Sequence, residues 1–246
     1  MATVRAPAVR WRHDRLFYTG ASLYLAILTF AGFARSFYLA PWMEQSHLTP
    51  EVGRLLVVHG ILFTAWIGLL VVQPLLIAGR RRELHRKLGW LGAALAFAMV
   101  VFGNLAAVAA MHGGFKGLGD PHVFYAVPFF TIQGFAVLVA LAVLWRDRAE
   151  THKRLMLLAA IIIVEAAFAR IELAPIAAGA PFTFFLGGDL LILAGMAYDR
   201  LSRGRVHKVW IWGGAAVVAS QIGKLLIAQT EPWMAFAKAM AGLWPV

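Results

Sequence analysis

Residues 52–87 read VGRLLVVHGILFTAWIGLLVVQPLLIAGRRRELHRK. From Val52 to Ala78 the residues are apolar almost without interruption. A bilayer core takes about 20 such residues as a helix. Backbone N–H and C=O groups in lipid must be satisfied within the segment, so the run predicts a helix. The character then reverses abruptly at Arg80, Arg81, Arg82, Arg86 and Lys87. Such a reversal marks the edge of a membrane, and basic loops stay on the cytoplasmic side.

Working outward, similar runs occupy Leu16–Leu39, Leu88–Met111, Val123–Trp145, Leu155–Ile176, Pro181–Tyr198 and Val206–Ala228. The expectation is an all-α integral membrane bundle of about seven transmembrane helices, one domain over residues 1–246. The whole chain is 61% hydrophobic and 14% charged. A soluble domain has about 25% charged residues, and one soluble core of this size could not hide the apolar excess. There are no cysteines, which excludes disulfides, thiolate metal ligands, a cysteine nucleophile and attached c-type haem.

Most Lys and Arg residues fall at one set of helix ends: the tail at 1–15, then GRRRELHRK, WRDRAETHKR and DRLSRGRVHK. The alternate loops carry Arg54, Lys116 and, past the last run, Lys238. This asymmetry predicts the N-terminus inside and the C-terminus outside, in a bacterial inner membrane. It also accounts for a net charge of +11 through anionic headgroups, with no nucleic-acid partner. Trp11, Trp90, Trp145, Trp210 and Trp212 read as one interfacial belt, Trp42 and Trp233 as the other. The segment 229–246 reads as amphipathic and lying on the outer surface. In the basic loops a motif recurs as Leu84-His85-Arg86-Lys87, Thr151-His152-Lys153-Arg154 and Val206-His207-Lys208. Each occurrence opens a helix, which suggests a repeated helical hairpin.

Ionisable groups inside a span are expensive and mark candidate sites. At 1.5 Å per residue, His59, Asn104 and Gln221 lie roughly 10 Å from the outer face, Asp189 about 12 Å, Gln133 and Glu165 about 16 Å, and Lys224 about 6 Å. These residues predict a polar layer, read either as a cavity open to the outside or as interhelical bonding. In the cavity reading Glu165 and Asp189 are the carboxylates, Arg170 or Lys224 supplies the counter-charge, and Glu172 shares a helix face with Glu165.

The histidines form two groups. His59, His112 and His122 stand near the outer side and could hold zinc, copper or iron, with Asp120 or Glu172 as a further ligand. His85, His152 and His207 share a depth near the cytoplasmic face and could hold haem b or a transition metal. They could equally bind lipid phosphates at helix starts.

His59, Gln73, Leu84-His85-Arg86-Lys87-Leu88-Gly89, His152-Lys153-Arg154-Leu155-Met156 and Arg170 resemble the pattern of an uncharacterised family of bacterial multi-pass inner-membrane proteins. The resemblance covers about residues 55–172. It is distantly similar to maturation proteins of haem–copper oxidases and to two-haem cytochromes of the b type. Those cytochromes carry paired histidines well inside four helices, whereas here His59 alone is clearly intramembrane.

No phosphate loop, nucleophile elbow or dinucleotide fingerprint is present, so a soluble type of catalysis is not expected. Three functions remain open. The histidines and the resemblance favour a redox, metal- or haem-handling role beside a respiratory complex. The polar layer would instead serve a small-solute or proton-coupled transporter. The small residues Gly92, Ala96, Gly103 and Ala107 would suit a non-catalytic subunit docked in a larger membrane complex.

Overall fold

A computed structural model describes residues 7–39, 50–112, 119–171 and 173–244. Its elements are α1 (Pro7–Phe33, continued by a π turn Ala34–Tyr38), α2 (Pro50–Ala78), α3 (Arg82–Met111), α4 (Pro121–Leu144) and α5 (Ala149–Phe168). There follow α6 (Ala174–Ala178), α7 (Leu186–Arg203, led in by a 3-10 turn), α8 (Gly214–Ile227, led in by a π turn Val209–Gly213) and α9 (Glu231–Ala241). The described residues contain no strand.

Six helical stretches are long and apolar enough to cross a membrane: His13–Tyr38, Val52–Ala78, Arg82–Met111, Pro121–Leu144, Phe182–Arg203 and Val209–Ile227. This is the make-up of a multi-pass membrane protein. Their outward faces carry large apolar side chains such as Ile27, Phe30, Val57, Ile61, Phe97 and Leu190, all exposed on the isolated chain. Apolar surface on that scale is what lipid covers.

At the centre stands α5, which carries Lys153, Arg154 and Glu165 and is not among the six. Its residues from Leu157 to Glu165 are all buried, on every side of the helix. A helix apolar all round belongs in a core, and α1, α4, α7 and α8 surround it. The closest approach is at Gly32 of α1, where a Cβ would stand 2.0 Å from the Ala167 carbonyl oxygen.

The expected single run Leu155–Ile176 does not form. The helix stops at Phe168, the chain turns through Ala169 and Arg170, and α6 begins at Ala174. Arg170 donates back to the Ala166 carbonyl (2.6 Å), and Pro175 has no N–H with which to continue the ladder.

The basic loops gather at one end of the bundle, here called the basic end; the opposite end is called distal. Of the expected interfacial tryptophans, Trp90 and Trp212 are exposed, but Trp210 is fully buried. Gly195 of α7 makes room for its ring, since a Cβ there would lie 2.4 Å from it. Trp233 is buried too. It anchors α9 on the distal end, among Tyr125, Phe129 and Phe130, and donates to the His122 carbonyl (2.9 Å). The amphipathic segment thus turns its apolar face to the bundle. Trp42 lies outside the described residues. The small residues of α3 are also used within the chain. Ala96, Gly103 and Ala107 are buried, and a Cβ on Gly103 would press on Ile132 of α4.

Candidate functional site

The predicted polar layer resolves into separate groups. The largest joins α5, α7, α8 and α4 in the distal half. Glu165, one turn before the end of α5, accepts from Lys224 Nζ at Oε2 (2.7 Å) and from Gln221 Nε2 at Oε1 (2.8 Å). Gln221 Nε2 also donates to Asp189 Oδ1 (2.9 Å), in the first turn of α7. Lys224 Nζ donates further to Thr131 Oγ1 (3.2 Å) and lies 4.9 Å from the centre of the Phe185 ring. Glu165, Gln221 and Lys224 are buried, while Asp189 is partly accessible. Helical spacing explains the cluster: Gln221 and Lys224, three apart on α8, share the face turned to α5.

A carboxylate and an ammonium taken out of water need each other. Breaking such a pair by removing one partner costs about 3–5 kcal/mol. The second carboxylate, Asp189, shares the same amide nitrogen and is partly accessible on the isolated chain. Of the two expected counter-charges, Lys224 is the one used. Arg170 instead donates to Ala166 O and stacks over the Phe33 ring at 4.8 Å. Glu172 lies outside the described residues.

Asn104 and Gln133 form their own clip between α3 and α4. Gln133 Nε2 donates to Asn104 Oδ1 (2.9 Å), and Asn104 Nδ2 to the Val100 carbonyl (2.7 Å). His59 stacks on Phe63 with ring centres 4.0 Å apart, and its buried Nδ1 has no hydrogen-bond partner among the described residues.

The outer histidines do not converge. His112 Nε2 donates to the Ala241 carbonyl (3.0 Å), whereas the His122 ring donates to Asp120 (2.9 Å). The backbone N–H and the ring of His122 hold the Asp120 carboxyl below the usual carboxylate range. Among the described residues no three His, Cys, Asp or Glu side chains are placed to hold a metal ion.

The basic-end histidines divide. His85 and His152, each the fourth residue of its helix, face one another with ring centres 6.4 Å apart. His152 Nδ1 donates to the Ala142 carbonyl (2.8 Å), and the Gln73 amide lies against His85 Nδ1. His207 precedes its helix and belongs elsewhere. Its backbone N–H donates to Asp199 (3.1 Å) and its Nδ1 accepts from Val209 N–H (3.2 Å). Burial pushes its imidazole below the ordinary value, helped by the Arg154 charge.

That Asp199 belongs to a network that sequence reading missed. Arg154 and Asp199, both fully buried, pair in a two-pronged fork: Nε to Oδ2 at 3.0 Å and Nη2 to Oδ1 at 2.5 Å. Arg154 also donates to Glu150 (2.8 Å), and Arg203 donates to Asp199 (3.1 Å) and to both oxygens of Asp14 (2.6 and 2.8 Å). Lys153 bridges Asp14 (2.9 Å) and Glu150 (2.8 Å), and the Tyr198 hydroxyl donates to Asp14. Three cations thus meet three carboxylates across α1, α5 and α7. Glu150 sits in the first turn of α5, ahead of the apolar run. Burial opposes its charge, but Lys153 and Arg154 outweigh that and hold its carboxyl down to about 2. The signal available in the sequence was the presence of acidic residues inside Arg-rich flanks, as in WRHDR and YDRLSR.

Comparison with protein families, with curated proteins and with solved structures finds no match to this chain.

Proposed function

We propose that the protein is a bacterial inner-membrane carrier, basic end in the cytoplasm, that moves protons or a proton-coupled small solute. In this reading α5 crosses the membrane as a seventh helix. The carrying observation is the buried Glu165–Lys224 pair joined through Gln221 to the partly accessible Asp189. Intramembrane ionisable groups of this kind mark proton relays and substrate paths. A proton reaching Glu165 cancels its attraction for Lys224 and leaves that ammonium unpaired in the core, so the helices holding it must rearrange. Asp189 offers the way in from the distal side.

A second feature supports the reading. On α5, Arg154 and Glu165 are separated by eleven residues, about 16 Å of helix, and each is tied to α7, directly through Asp199 or by way of Gln221 to Asp189. One ionic clamp therefore stands at each end of the α5–α7 contact, which suits opening to one side at a time. The test is proton entry into liposomes enclosing a pH dye, under an imposed gradient. Wild type should exceed protein-free vesicles, and Glu165→Gln and Asp189→Asn should each lower the rate about tenfold or more. Wild-type flux equal to empty vesicles, with or without candidate solutes, rejects the proposal.

The His85–His152 pair favours a second reading, haem or transition-metal handling beside a respiratory complex. With His152 Nδ1–H held on a carbonyl, its Nε2 is oriented as a ligating imidazole is. Purified protein should then carry iron, copper or zinc, or a Soret band, that His85→Ala and His152→Ala remove. A colourless, metal-free wild type sinks this reading.

A further inference from the structure

At the basic end, Gly79, Arg80 and Arg81 make the turn from α2 into α3, and Arg82 opens α3. Backbone bonds fix this turn: the Gly79 N–H donates to the Leu75 carbonyl (2.8 Å) and the Arg81 N–H to the Leu76 carbonyl (2.8 Å). Arg80 has a φ of 60°, in the left-handed region, and is the one non-glycine residue there among the described residues. Glycine adopts that conformation readily, whereas a Cβ strains it. The glycine of this turn stands one place earlier, so the strained position carries a guanidinium. With Glu83, Leu84 and Lys87 the three arginines line a hollow of about 420 Å³. All three are exposed, and their side chains have no hydrogen-bond or ion-pair partner among the described residues. The carboxylates of the basic end are engaged elsewhere. Glu83 pairs with Lys87 (3.0 Å), and Asp14, Glu150 and Asp199 hold Lys153, Arg154 and Arg203. Asp147, in the α4–α5 turn, makes no ion pair with the three arginines. By their place in the chain, Glu44, Glu51 and Glu172 fall where α1 meets α2 and α5 meets α6, at the distal end.

We infer that the α2–α3 turn binds the headgroup phosphate of an anionic phospholipid, with Arg80, Arg81 and Arg82 as its contacts. Three successive arginines on a fixed turn, with no carboxylate of their own, gain most from an anion. A planar guanidinium meets two phosphate oxygens at once, and a bilayer supplies such phosphates at the ends of its helices. The apolar neighbours select a lipid over a free anion. Leu75 on α2 and Leu84 on α3 flank the turn and are exposed on the isolated chain, where they can meet the start of an acyl chain. Backbone strain of the kind seen at Arg80 clusters at ligand clamps. A diffuse attraction between basic loops and headgroups needs charge alone, whereas this site needs charge at these three positions. The inference concerns a surface distinct from the Glu165–Lys224 cluster and does not depend on transport.

The experiment is thermal denaturation of the full chain in a zwitterionic detergent, titrated separately with short-chain phosphatidylglycerol, the matching phosphatidylcholine and inorganic phosphate. Phosphatidylglycerol should raise the melting temperature saturably, and the other two should not. Arg80→Gly relieves the left-handed strain, so without lipid it should melt no lower than wild type, yet its apparent affinity should fall about fivefold. The double variant Arg81→Gln with Arg82→Gln should lose about 25-fold. Arg148→Gln with Arg205→Gln removes the same charge from other exposed positions of the basic end and should bind nearly as wild type does. All these side chains are exposed, so folding is not at stake. Equal weakening in the two double variants would replace the site by a diffuse surface potential and overturn the inference. An equal shift with inorganic phosphate would reassign the turn to a free anion and overturn it too, as would no response in wild type. Unchanged affinity in Arg80→Gly would overturn the role given to that residue.

Discussion

Replacing Asp199 by asparagine isolates the energetic weight of the basic-end network. The carboxylate is fully buried and accepts from Arg154 twice, from Arg203 at 3.1 Å and from the His207 N–H at 3.1 Å. Asparagine keeps the shape and removes the charge, leaving the buried Arg154 guanidinium with Glu150 as its remaining carboxylate. Loss of one partner from a buried pair costs about 3–5 kcal/mol. For a chain of this size, at about 2–4 °C per kcal/mol, the melting temperature should fall by roughly 6–20 °C. The comparison is Glu150→Gln, whose side chain is 48% exposed. Exposed pairs contribute about 1 kcal/mol or less, so that variant should melt within a few degrees of wild type. The double variant Arg154→Met with Asp199→Leu removes both charges and should recover most of the loss, because an apolar replacement of a buried pair is often neutral. Thermal denaturation of all four proteins in one detergent decides the matter. If Asp199→Asn melts no lower than Glu150→Gln, burial does not give this pair the weight assigned to it.

A glycine pair tests the packing around Trp210. Gly195→Ala puts a Cβ 2.4 Å from a fully buried ring and should cost about 1–3 kcal/mol. Gly68→Ala in α2 meets nothing within 4 Å and should be neutral or stabilising by up to about 1 kcal/mol. Equal melting temperatures for the two would contradict the close approach of α7 to the π turn before α8. The flux measurements on Glu165→Gln and Asp189→Asn and the metal and haem content of the histidine variants complete the set.

Helix content, most of the long apolar segments and the gathering of arginine at one end follow from the sequence alone, whereas the fifth of the seven expected runs breaks after Phe168 and leaves six helices long and apolar enough to cross a membrane. They depend on run length and on what a bilayer tolerates, both local properties. The recurring histidines do open α3 and α5 at His85 and His152, whose rings stand 6.4 Å apart, but His207 lies elsewhere. Partner choice was not legible in the same way. Whether Glu165 meets Lys224 or Arg170 depends on where α5 stops and on the rotation of α8 about its own axis. A single turn at Ala169 directed Arg170 back onto the Ala166 carbonyl, while Lys224, 59 positions from Glu165, reached that carboxylate. Trp210 read as a headgroup anchor because its flank is basic, yet Gly195 on another helix opens a place for it in the core. Asp14, Glu150, Asp199 and Arg203 were indistinguishable from solvated loop charges until α1, α5 and α7 were brought together. Sequence determined which runs are apolar enough to cross a membrane; tertiary packing decided which charges face each other, since that depends on the relative phase and depth of helices far apart in the chain.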